Sequence, residues 1–291
     1  IAGIVGRAFG IGTGSRDSGV PEGASWFDKL KIAFLGPKEA LAQYQARLEE
    51  PGGTGTRRFE LSEVMKGFDV AIYGHLSYDN IFSGFDYKTS VGCMGNVWAQ
   101  LKTINPDIRV KLEPTDIGES LILTSTKQCK RTSISRLSLK TRIPTIHDSK
   151  ISHVMYINEL SDTNFISKLS GFITADVCNG KPLDITNDNL KHIDLLLLSD
   201  EDALINVERL VSAVRGHVLV HHAAGSTIYS KTTQPKQFKA EFVSNINVLG
   251  AGDKFASYII AGLLVDKPQS IDKVIQDAHN KLTEYFKNEK V

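Results

Sequence analysis

Two glycines flank one small residue at Gly250-Ala251-Gly252, and an acid, Asp253, follows at once. Glycines at that spacing let the backbone turn tightly and aim successive N–H groups at one point. The apolar run behind them, FASYIIAGLL, reads as a helix whose positive dipole end adds to those donors. This is the make-up of an anion hole with a carboxylate beside it. Asp253 would accept a proton from an attacking hydroxyl, while the Gly250, Ala251 and Gly252 amides would face developing negative charge. Phosphoryl transfer asks for little more than positioning, charge neutralisation and a group that orients the nucleophile. The same four residues also suit a structural turn capped by Asp, a common role for that residue at a helix start.

A site of this kind needs a rigid frame, and the chain from residue 69 onward supplies one by pattern. FDVAIYGHL, ESLILTST, KISHVMYI, GFITADV and HIDLLLLS are apolar, β-branched runs suited to strands. VWAQLKTI reads as the core of a helix, and HVLVHHAAGSTIYS as a hairpin-like pair. Strands alternating with helices imply a layered α/β domain with a mostly parallel sheet. Before residue 69 the pattern differs. A Gly-rich start, a strand-like KIAFLGP, a helical EALAQYQARLEE and the breaker PGGTGTRR read as an appendage over 1–68, of unassigned role. Gly10-Ile-Gly12-Thr-Gly14 lies in it without a preceding strand or a following apolar helix, so it does not meet the context of a phosphate loop.

In their order these segments resemble the PfkB/ribokinase carbohydrate and nucleoside kinases, whose C-terminal signature is close to D-T-x-G-A-G-D-x-F. GHLSYDNI at 74–81 is similar to the first strand of that family and its substrate-gripping acid, here Asp79. SVGCMGNVWAQL at 90–101 resembles the N-terminal glycine motif and its Asn, here Gly92 and Asn96. GFITADVCNG is similar to the D-x-x-N strand, HIDLLLLSDEDAL to the N-x-x-E segment that supports magnesium, and VLVHHAAGSTIYS to the strand and turn beside the nucleotide. The resemblance spans roughly residues 69–288.

What the resemblance implies is a ribokinase-like three-layer sandwich over 69–291, with a small β lid formed near 82–90 and 112–142. It implies ATP and Mg²⁺ as cofactors, and a γ-phosphoryl passing to a hydroxyl of a sugar or nucleoside. Asp253 would be the general base, and Asp79, Gly92 and Asn96 would hold the substrate. Ser199, Asp202, His222, Gly225 and Asn247 would lie at the nucleotide, with Asp202 holding magnesium through water. A homodimer through the lid is expected on the same ground. The chain departs from the pattern at Val91, where the family has a glycine, and this is expected to narrow the approach of substrate to the backbone. It departs again at Asn247, Ser199, Asp202 and His222. These departures motivate a second reading, a kinase-derived protein serving as a scaffold or regulatory subunit.

The bulk numbers exclude several other classes. A net charge of +1 gives no basic field to draw the chain onto nucleic acid. Three scattered cysteines without a CxxC pair suggest neither a disulfide framework nor a zinc site, and make the cytoplasm the expected compartment. No apolar run approaches the roughly 18 residues of a membrane helix. The chain opens on Ile1 rather than Met, so its natural start is expected upstream. His221 and His222 sit at a strand end with side chains facing opposite ways, which suits no shared ion. A basic stretch from Lys127 to Arg142 reads as a solvated edge strand, or as a contact for an acidic substrate near the lid.

Overall fold

The computed structural model describes residues 67–83, 86–125, 127, 130–138, 143–177, 185–200, 206–265 and 269–289. Residues 1–66 of the appendage, the Gly10 to Gly14 run within it, Asp202 and the basic residues 140 and 142 lie outside the described residues, whereas Phe68 belongs to the first strand.

Alternation of side chains along the central strands decides the layering. Strand β1 is Phe68–Ser83, β2 is Asp86–Val91, helix α1 is Cys93–Ile104, β3 is Val110–Ser125 and β4 is Lys130–Ser138. Then come β5 (Ser149–Met155), β6 (Phe172–Asp176), α2 (Asn187–Leu190), β7 (Leu195–Ser199), α3 (Val207–Ala213) and β8 (His217–His222). The chain closes with β9 (Gly225–Ser230), β10 (Lys236–Lys239), α4 (Ala251–Leu263) and α5 (Ile271–Asn288). On β1, Val70 and Ile72 pack with Met94, Val97 and Leu101 of α1, whereas Ala71 and Tyr73 face the opposite cluster with Ile173, Leu190 and Leu210. On β7, Leu195 and Leu197 meet Phe255, Ile259 and Ile275 of α4 and α5, while Leu196 and Leu198 join the α2 and α3 side. Strands buried on both faces between helices make a three-layer α/β sandwich.

The described strands form one sheet in the order β10-β9-β8-β7-β6-β5-β1-β3-β4, with β2 paired to β1. Pairing is parallel from β3 through β1, β5, β6 and β7 to β8. It is antiparallel at the two margins, β8 with β9 and β10 at one end and β1 with β2 and β3 with β4 at the other. The segments expected as strands are strands, although β1 begins at Phe68 and runs on through Ser83. Past Gly74, β1 continues with β2, β3 and β4 as a lid beyond the helix-covered sheet.

The bend between sheet and lid has a local cause. The register of β1 against β3 shifts between Gly74 and His75. Gly74 has φ 127°, and a Cβ there would lie 2.4 Å from the Met155 carbonyl oxygen, so only glycine fits. Beyond the bend His75, Ser77 and Asp79 point to one face of the lid and are buried, while Tyr78 and Phe82 on the other face are over one-third exposed. No helix among the described residues is long and apolar enough to cross a membrane.

Candidate active site

The carboxyl ends of the parallel strands and the inner face of the lid enclose a cleft of about 610 Å³. Its walls include Asp79, Asn96, Ser199, His222 and the run Gly250 to Asp253. Residues from opposite ends of the sequence therefore meet in one concavity, at the strand ends where open α/β sheets place ligands.

The turn before α4 is built by Gly250, the N-cap, which has left-handed φ 75° and ψ 10°. An L side chain is strained there, and glycine is not. The Ala251 N–H donates to the Val248 carbonyl at 3.1 Å, so it is engaged within the loop. The Gly252 N–H belongs to a helix's first turn, whose donors lack intrahelical partners, and Gly252 lines the cleft. Asn247 lies before the turn and accepts the Leu249 N–H at 3.0 Å through Oδ1, which shapes the loop from outside the cleft wall.

Asp253 is buried at the cleft and accepts a hydrogen bond of 2.7 Å from Asn96 Nδ2. Asn96 stands one turn into α1, with its own N–H bonded to the Gly92 carbonyl at 2.9 Å. Gly92 in turn donates its N–H to the Ser77 carbonyl at 2.7 Å. A Cβ on Gly92 would approach the two Asp79 carboxylate oxygens to 2.9 and 3.0 Å, so glycine at this position is what lets Asp79 lie flat against the helix start. Asp79 Oδ1 accepts Ser77 Oγ–H at 2.6 Å, and Ser77 Oγ meets Ser120 Oγ at 2.8 Å.

Val91 does not narrow the cleft. It is buried in the core beneath α1, with its Cγ1 where a Cβ on Gly95 would come within 2.7 Å. The valine occupies space that Gly95 leaves open and is not among the residues that line the cleft.

At the other end of the cleft, Ser199 closes β7 and Asp200 follows it, with the Asp200 N–H reaching the His221 carbonyl at 2.9 Å. His221 lies against Gly252, whose absent Cβ would be 3.9 Å from His221 Cε1. His222 Nδ1 accepts the Ala224 N–H at 3.2 Å in the β8–β9 turn. Gly225 opens β9 opposite His222 and sits behind that turn rather than on the cleft wall. His279 of α5 bonds Ser226 Oγ at 2.7 Å and packs on Phe255. Burial, with the neighbouring His221 and His222, pushes its pKa down to about 4.

Sequence reasoning singled out neither His75 with Glu159 nor His279 on this wall. The first two come from β1 and a 3-10 turn far along the chain, and no local motif joins them. Asp176, at the end of β6, also lines the cleft and stood within the D-x-x-N segment, so its signal was present.

The molecular likenesses agree with this architecture. A sulfate complex of a pyrophosphate-dependent kinase in the ribokinase family superposes with a TM-score of 0.56 at 16% identity, covering 75% of this chain and 95% of that one. The chain has the ribokinase fold. Ribokinase from Cryptococcus neoformans var. grubii, in complex with ADP, gives a TM-score of 0.56 at 13% identity over 78% of this chain and 95% of its own. The nucleoside kinase of Methanocaldococcus jannaschii gives 0.52 at 15% identity over 77% and 93%. No protein-family model and no curated protein matches the sequence.

Proposed function

We propose that this ribokinase-fold chain is a kinase that moves a phosphoryl group from ATP to a hydroxyl of a sugar, nucleoside or related small molecule. The observation that carries the reading is Asp253, fixed by Asn96 at the start of α4 and sharing a cleft with Asp79. Asp79 holds the acceptor by hydroxyl groups, and Asp253 takes the proton from the attacking hydroxyl as its oxygen bonds to phosphorus. The bond from that phosphorus to the leaving diphosphate oxygen breaks, and the Gly252 N–H with the α4 dipole meets the migrating charge. A carboxylate aimed at the cleft serves catalysis and has no use in a scaffold, which favours an enzyme over a regulatory subunit.

Donor binding belongs on the side of Ser199, His222 and the Gly250 turn, with Gly225 and Asn247 supporting it from behind. Described residues of the cleft wall include six carboxylates and no lysine or arginine. They form no three-ligand metal cluster among themselves, which fits an ion that arrives largely coordinated by phosphates. Magnesium bound with the donor would neutralise phosphate charge, held through water by Asp200 and by Asp202. The exposed apolar side of the lid, with Tyr87, Leu121 and Leu123, supports pairing with a second copy. The scattered cysteines support a cytoplasmic setting.

The test is phosphorylation of a panel of sugars and nucleosides with ATP and magnesium, by wild type and Asp253→Asn. Loss of turnover by about 10² or more in the variant, as general-base removal costs, is expected. Equal turnover would reject the role of Asp253.

A further inference from the structure

His75 and Glu159 form a buried pair on the cleft wall. Both side chains are 1% exposed, and His75 Nδ1 lies 3.3 Å from Glu159 Oε2. A glutamate carboxylate accepts, so Nδ1 carries the hydrogen of this contact and Nε2 is the ring nitrogen left to meet a ligand. Nε2 is buried and makes no hydrogen bond with the described residues. Such an atom is costly in a folded chain until a donor reaches it.

The placement of this nitrogen is built in. Gly74 sets the bend that starts the lid, and from it His75, Ser77 and Asp79 alternate onto the same inner face. Cys93 Sγ–H to the His75 carbonyl, at 3.3 Å, ties this stretch to α1. The ring thus stands two positions before Ser77, in line with the acid that holds the acceptor. Charge on the wall narrows what can bind. Asp79, Glu159, Asp176, Asp200, Glu241 and Asp253 line the cleft, without a lysine or arginine among its described residues. A phosphorylated acceptor would meet repulsion there, whereas a neutral polyol brings hydroxyl donors to a wall of carboxylates without adding negative charge.

We propose that His75 is a specificity-determining residue: its Nε2 accepts a hydrogen bond from a hydroxyl of an uncharged, polyhydroxylated acceptor, and Glu159 orients the ring for that contact. This rests on the kinase reading of the cleft and names the substrate class within it.

The experiment titrates the full chain with ribose, myo-inositol, adenosine and ribose 5-phosphate by calorimetry. Wild type binds at least one neutral ligand and not ribose 5-phosphate. His75→Phe, which keeps ring volume and removes the nitrogens, weakens that binding tenfold or more. Removing the contacted hydroxyl from the ligand weakens wild type equally and the variant no further. In turnover the loss falls on the acceptor KM and spares kcat, and Glu159→Gln, which still accepts from Nδ1–H, retains most of the affinity. Should His75→Phe not fold, imidazole ¹⁵N spectra of wild type decide: the Nε2 resonance of His75 moves when the neutral ligand is added. Unchanged affinity in folded His75→Phe, or an unmoved Nε2 resonance, overturns the proposal while Asp253-dependent turnover leaves the kinase reading standing. Binding of ribose 5-phosphate alone, or of none of the four, overturns it as well, and absence of Asp253-dependent turnover marks failure of the kinase reading itself.

Discussion

Asn96 donates its side-chain amide to Asp253 across 2.7 Å, although 157 residues separate the two in the chain. The bond joins α1 to α4 and fixes the acid at the mouth of the glycine turn. Helix starts from the two ends of the sequence are thereby locked into one constellation.

Asn96→Ala removes this hydrogen bond and loosens the placement of the Asp253 carboxylate. Turnover is expected to fall by about tenfold, less than for loss of the acid itself, because a misplaced base works below the full 10² to 10⁴ of general-base catalysis. Asn96→Asp instead sets a second carboxylate beside the first. Like charges disfavour ionisation, so the acid limb of the pH–rate profile moves upward by about one unit or more. A profile that stays in place, measured as kcat against pH for wild type and variant, would contradict the contact.

Much of this site was legible before the fold was. The Gly250 to Asp253 run, Asp79 and Asn96 carry local signals, glycine spacing and a helix start, and the cleft gathers all of them. The apolar runs that marked β5, β6 and β7 are legible for a related reason: strands buried on both faces have no polar alternation to confuse them. What escaped notice was non-local or weakly patterned. β2 is DYKTSV, mostly exposed, and β10 is four residues long, so neither bears an apolar stripe. α5 could have been read from Ser270, whose Oγ caps the Lys273 N–H, and from Val274, Ile275 and Ala278 at helical spacing. The core position of Val91 is not legible, because sequence gives a residue's place along the chain and not the side it faces.

Gly92→Ala tests how closely helix and acid approach. The new Cβ meets Asp79 oxygens at 2.9 and 3.0 Å and the Ser77 Cβ at 2.9 Å, so the acid must shift. Overpacking of this size costs about 1–3 kcal/mol in stability. The acceptor KM is expected to rise more than tenfold while the donor KM holds. Urea unfolding and initial rates on the same preparation check both, and an unchanged acceptor KM would show that Asp79 does not need this approach.

Gly95 and Val91 are a coupled pair. Gly95→Ala drives a Cβ to 2.7 Å from Val91 Cγ1 and 2.8 Å from its Cβ, within a packed core. We expect a loss of about 1–3 kcal/mol, and its partial recovery on adding Val91→Ala. Independent, additive effects in the double variant would mean that the two side chains do not share that space.

Two buried histidines make stability depend on pH. Burial pushes His153 down to about 3; its ring is fully buried, with Nδ1 on Thr174 Oγ1 at 2.7 Å. His279 is held at about 4, again mainly by burial and then by His221 and His222. Above the unfolded value of about 6.5 both states are neutral at these positions, and neither residue affects stability. Below it the unfolded chain takes up protons that the fold refuses, so stability falls with pH, from 6.5 down to 4 for His279 and to 3 for His153. Each contributes a loss approaching about 1.4 kcal/mol per pH unit in its window, or at most about 4 kcal/mol for the pair between pH 7.5 and 5. Urea midpoints at pH 7.5 and pH 5, both above the range where most carboxylates titrate, measure this drop. His153→Gln, which can still meet Thr174, should remove about half of it. Equal midpoints at the two pH values for wild type would show that neither ring is kept neutral by the fold.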